Sequence, residues 1–226
     1  MIDYSLALIP PELAYYWIAL GIEILGIFVA FAISRYGYKA YKIIGEQKYK
    51  YFFYGFLFTG LNFTFHVIIN LLWKLGDVAW FIKKQYQMYI GPVLGLYYIF
   101  LIGALFAYIS LAIVYADVSR KNIGLFYFWA LILGALSFTD YIDFNVLASI
   151  PLSFVAFLGF EKYKESKNPY QLLTSLAFGC LFLFHALVVL EQVNTIFYSI
   201  RYSVLMAGLM MLLVTFFKIN YGRKKK

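Results

Sequence analysis

FLFTGLNFTFHVIINL (56–71) and SLAFGCLFLFHALVVL (175–190) hold the only two histidines of the chain, His66 and His185. Each histidine follows a glycine by six residues (Gly60, Gly179) and a phenylalanine by three (Phe63, Phe182), with Phe65 or Phe184 immediately before it. Both segments are apolar throughout, and a spanning helix needs roughly 20 such residues to cross a ~30 Å hydrocarbon core. They therefore read as two related membrane helices, and the rest of the chain can be aligned outward from them.

Composition points the same way. Hydrophobic residues make up 64% of the 226 and charged residues 13%, with a mean hydropathy of +0.78. A soluble domain is nearer half apolar and about a quarter charged. Apolar stretches near 13–35, 50–74, 88–116, 122–139, 144–161, 169–191 and 196–218 predict seven transmembrane helices in an all-α integral membrane protein. Lipid leaves unpaired backbone groups without water, so helices must fill these stretches. Residues 1–226 read as one transmembrane domain, and MIDYSLALIPPEL lacks the basic start of a cleavable signal peptide. The single cysteine, Cys180, gives no internal disulfide.

Lys and Arg set the orientation. With the N-terminus outside and the C-terminus inside, only Lys74, Lys83, Lys84 and Arg201 of the 19 basic residues face out. Asp3, Glu12, Asp77, Asp140, Asp143 and Glu191 lie on that same outer side. The expected location is the plasma membrane, multi-pass. The net charge of +8 then reflects topology and attraction to lipid headgroups, not nucleic-acid binding, and the GRKKK tail reads as a stop-transfer anchor.

Further echoes extend the repeat. Phe28-Val29-Ala30-Phe31 recurs as Phe154-Val155-Ala156-Phe157. Tyr41-Lys42 recurs as Tyr163-Lys164, in a second cytoplasmic loop expected to be shorter than the first. Tyr97 and Gly103 match Tyr202 and Gly208. Predicted helices 1–3 (about 13–116) thus correspond to helices 5–7 (about 144–218), with helix 4 (122–139) as the linker that restores orientation. This is a 3+1+3 parallel internal repeat, related by an axis along the membrane normal. Seven helices in this orientation resemble the rhodopsin arrangement in topology only. The middle of helix 7, Val204 to Gly208, has no Schiff-base lysine, so retinal is disfavoured.

Two histidines at equivalent positions and similar depth are candidate metal ligands. His66 lies about 16 residues into its span, or ~24 Å at 1.5 Å per residue. A bis-histidine haem b needs only two axial residues, whereas structural zinc normally takes four ligands. Asn62 and Asn70 stand four residues either side of His66 on its helix face, so either could orient the imidazole. Arg201 is the first candidate to hold haem propionates, with Lys74, Lys83 and Lys84 behind it. A structural ion pair with Glu191 is its plain alternative. Glu23, near the middle of helix 1, is the one acid set deep in a span and is a functional candidate by default: a proton carrier, an ion site or a base facing quinol.

Two functions follow. One is a small b-type cytochrome working in electron transfer or redox and haem sensing, with quinol or an external redox partner. The other is a 3+1+3 transporter or channel for a small molecule or ion, without haem. A sensor reporting to another subunit is a third. A hydrolase is least supported, because the chain has no HExxH and no convincing Ser-His-Asp spacing.

Overall fold

The computed structural model describes residues 13–78, 86–136, 141–191, 193–194 and 196–222. Asp3, Glu12, Lys83, Lys84, Asp140 and the basic tail from Arg223 lie outside that set, as do the side chains of Lys74 and Asp77. The described chain is helical: α1 (Leu13–Ile44), α2 (Gln47–Val78), α3 (Tyr86–Ala116), α4 (Arg120–Leu136), α5 (Tyr141–Ser166), α6 (Pro169–Glu191) and α7 (Ile196–Gly222). Six of them, all but α4, are long and apolar enough to cross a membrane, which makes this a multi-pass membrane protein. Their outward faces carry Trp17, Phe28, Phe157 and Met210, large apolar groups suited to lipid rather than water.

The helices run further than hydropathy alone implies. The segments expected as cytoplasmic loops after spans 1 and 5 continue as helix to Ile44 and Ser166. Each then turns in two residues, so the second loop is not the shorter one. The first turn closes on Gly45, whose positive φ of 78° is the left-handed conformation that ends helices. Its N–H donates to the Tyr41 carbonyl at 2.8 Å. In the second, Lys167 at φ 53° donates to the Tyr163 carbonyl, also at 2.8 Å. Asn168 then caps α6 through its Oδ1 and the Tyr170 N–H, with Pro169 at the first helical position.

α1 packs on α2, α2 on α3, α5 on α6 and α6 on α7, and α3 meets α5 while α7 meets α1. The six spans therefore close into a ring in the order α1, α2, α3, α5, α6, α7. α4 lies outside it against α3, where Tyr127 stacks on Phe106 and meets the Ser110 hydroxyl at 2.8 Å. Across the ring α2 meets α6, with Phe56 and Phe178 ring centroids 6.3 Å apart. Leu101, Leu105, Phe144, Leu152 and Leu205 fill the remaining core. Two glycines allow close approach: a Cβ on Gly55 would sit 2.8 Å from Leu111 of α3, and one on Gly208 2.9 Å from Cys180 of α6.

Candidate functional site

Polar side chains in an apolar bundle face inward, because lipid cannot solvate them. Here they collect into two groups, one around each histidine. The first joins three helices. Glu23 of α1, only 2% exposed, lies 2.9 Å (Oε1) from His66 Nδ1 of α2. The Tyr202 hydroxyl of α7 donates to the same Oε1 at 2.7 Å. The Asn70 amide donates to Oε2 at 3.3 Å. With its hydrogen on Nδ1, His66 also donates to Glu23, so one buried carboxylate accepts from three donors. Tyr16 fixes the second turn of this group by donating to the Asn70 carbonyl at 2.9 Å. His66 Nε2 has no hydrogen-bond partner among the described residues, and its side chain is 21% exposed.

The second group also joins three helices. His185 of α6 is 5% exposed. Its Nδ1 lies 2.7 Å from Asn145 Oδ1 of α5, and its Nε2 lies 2.8 Å from the Tyr108 hydroxyl of α3. The consistent assignment is a neutral imidazole that donates from Nδ1 to the amide oxygen and accepts at Nε2 from the phenol. Both ring nitrogens are thereby used.

Arg201 sits beside these groups, 3% exposed, with Nη1 2.9 Å from Glu191 Oε2. Its guanidinium carbon stacks 4.8 Å from Phe184, 5.4 Å from Tyr198 and 5.1 Å from Tyr202. This is the plain alternative expected for the residue. Asn62 is buried on the predicted face, but its Oδ1 has no hydrogen-bond partner and it does not join the His66 group. Of the residues singled out in the sequence, Glu23, His66 and Asn70 come together. His185 stands apart from them, and Arg201 touches the first group through Tyr202.

The residues as placed do not fit a shared haem. Iron ligation by His185 would have to replace its bond to Tyr108 or to Asn145. The imidazoles are connected by a run of packed rings, with His66 stacked on Phe100 at 5.1 Å, Phe100 tilted against Phe144 at 5.9 Å and Phe144 edge-on to His185 at 6.0 Å.

At the opposite end of the ring, beside the Gly45 turn, a chamber of about 280 Å³ opens between α1, α2, α3, α6 and α7. Its wall is largely apolar, with Ile33, Phe52, Phe56 and Leu212 among the residues forming it. A second recess of about 300 Å³, lined by Arg35 and Lys39, adjoins it. Sequence reasoning missed Tyr108, Asn145 and the chamber. Asn145 carried a usable signal, an amide inside an apolar helix, whereas Tyr108 is one of 22 tyrosines.

Comparison with protein-family models, with curated proteins and with solved structures finds no match.

Proposed function

We propose that the chain is a small-molecule transporter of the plasma membrane, N-terminus outside and C-terminus inside, built as two parallel triplets (α1–α3 and α5–α7) with α4 as linker. The observation that carries the reading is the contrast between the two ends of the ring. The end holding Glu23, His66, His185 and Arg201 is tied across by hydrogen bonds and an ion pair. The end beside Gly45 holds a chamber. A closed outer gate over an inward-facing vestibule has this form.

Several features support the repeat beneath it. The contacts α1–α2, α2–α3 and α7–α1 have counterparts in α5–α6, α6–α7 and α3–α5. The Tyr41–Gly45 and Tyr163–Lys167 turns use the same hydrogen bond. Phe28 and Phe157 face outward, as do Phe154 and Phe31, while Val29 and Val155 are buried. The two polar groups are also images of each other, since Glu23, His66 and Tyr202 come from α1, α2 and α7, and Asn145, His185 and Tyr108 from α5, α6 and α3. On α5 the FVAF echo aligns Ser149 with Glu23, one turn from Asn145.

In this reading, each tie across the gate contributes about 1 kcal/mol, the scale of a cross-helix hydrogen bond in a membrane. Such a gate is strong enough to hold and weak enough to open. Its test is accessibility. A cysteine placed at Tyr36 in a Cys180→Ala background should react with a membrane-impermeant thiol reagent from the inside only. Adding Glu23→Ala should make it reactive from the outside as well. Labelling that ignores Glu23, or that comes from the outside in the parent, would remove the gate from the reading.

A further inference from the structure

The chamber and the basic recess share a wall made by Tyr36, Tyr49 and Phe216. One side of that wall is apolar. The other carries Arg35 and Lys39, neither of which has an ion-pair partner among the described residues. The hydroxyls of Tyr36 and Tyr49 likewise make no hydrogen bond among them. Lys48 also lines the chamber, but it is already paired with Glu46. No Asp or Glu lines either space.

We infer that the two spaces form one binding site for a small amphipathic organic anion, a carboxylate on an apolar chain or ring. The apolar part occupies the chamber, whose volume is at the low end of ligand sites. The carboxylate passes between the two phenols toward Arg35 and Lys39, where donors and positive charge are available and no fixed anion competes. A cation of the same size would meet like charge there, and a neutral chain would leave the cations unanswered. The inference deepens the transporter reading by naming its substrate class, and it rests on that reading only for transport, not for binding.

The full chain in nanodiscs, titrated with radiolabelled octanoate, provides the test, with octylamine and octanol as size-matched controls. Saturable octanoate binding is expected, with octylamine excluded. The Arg35→Gln/Lys39→Gln pair, on exposed positions that do not hold the fold, should weaken octanoate by about tenfold while leaving octanol unchanged. Val114→Phe, which fills the chamber, should weaken octanoate and octanol together. Equal retention of all three ligands, or octanoate binding indifferent to the two cations, would overturn the inference and mark the chamber as space for any apolar chain, lipid included. Octanoate bound but never transported into liposomes would sink the transporter reading and leave the site standing. Transport of another solute without octanoate retention would do the reverse.

Discussion

His66 and His185 occupy like places on α2 and α6, yet the acceptor that each Nδ1 meets is of a different kind. His66 meets a carboxylate, and His185 meets an amide. The carboxylate can accept from several neighbours at once, so Tyr202, Asn70 and His66 all converge on Glu23 and leave His66 Nε2 without a partner. The Asn145 oxygen instead takes His185 Nδ1, and Tyr108 turns to the imidazole itself. One site is therefore a carboxyl hub on which three donors converge. The other is a chain of bonds through an imidazole that uses both of its nitrogens. The comparison separates a group available for function from one that knits α3, α5 and α6 together.

The all-or-none way to break that contrast is to make the histidines equivalent again. Joint ligation of haem b would do so. We expect protein purified from cells given ample haem precursor to show no Soret band. A band that disappears in both His66→Ala and His185→Ala would restore the shared-cofactor expectation and displace the hydrogen bonds described here.

Next in size is Glu23→Ala. It leaves three donors pointing at an empty space inside a bilayer, each unpaired group costing about 1–3 kcal/mol. Uphill uptake into liposomes should fall to background, because an opened gate lets solute leak back, and thermal unfolding in detergent should drop by several degrees. Glu23→Gln keeps one acceptor oxygen and should retain more of the stability than of the uptake. If Glu23→Ala accumulates solute normally, the hub has no role in the cycle.

His185→Phe should show the opposite balance. It removes one hydrogen bond each from Asn145 and Tyr108, so stability should fall by about 1–3 kcal/mol, while uptake per folded molecule changes little. His66→Phe should lose more uptake for less stability, because only one of its nitrogens is engaged. Measuring both variants by unfolding and uptake puts them on the same two axes. Coincident points would erase the distinction.

The sequence carried the scaffold well, because a bilayer imposes long apolar runs and basic inner loops on any chain that crosses it. All seven predicted transmembrane helices have helical counterparts, six of them long and apolar enough to cross a membrane, and α4, at 17 residues, is the shortest of the seven. Boundaries were less legible. Tyr41 and Lys42 read as loop, but interfacial helices tolerate such residues, and α1 continues to Ile44. At the site, Glu23 and Asn70 stood out because charge and amide are rare in these segments. Asn62 shares their face by periodicity without sharing their contacts, since helix phase gives direction and not reach. Phase also cannot say which of the other helices a face meets. For that reason Tyr202 and Tyr108, which come from the other triplet in each case, were invisible before the ring was known.

The smallest expected effect falls on the residue that borders the hub through the Tyr202 ring. Arg201→Lys preserves the charge beside Glu191 but removes the planar guanidinium from Phe184, Tyr198 and Tyr202. Arg stacks on aromatic faces where the ammonium of Lys is a compact, strongly hydrated point charge, and such contacts are worth about 0.5–2 kcal/mol. The variant should therefore unfold slightly earlier and transport within about twofold of the parent, the range such an energy permits if shared between states. Tyr202 connects the stack to Glu23, so Tyr202→Phe offers the sharper companion. It keeps the ring under Arg201 and deletes the hydroxyl. Uptake lost in Tyr202→Phe but kept in Arg201→Lys places the effect on the hydrogen bond to Glu23. Loss in both would instead join Arg201 to the hub, and the boundary between working and supporting residues would move outward by one helical turn.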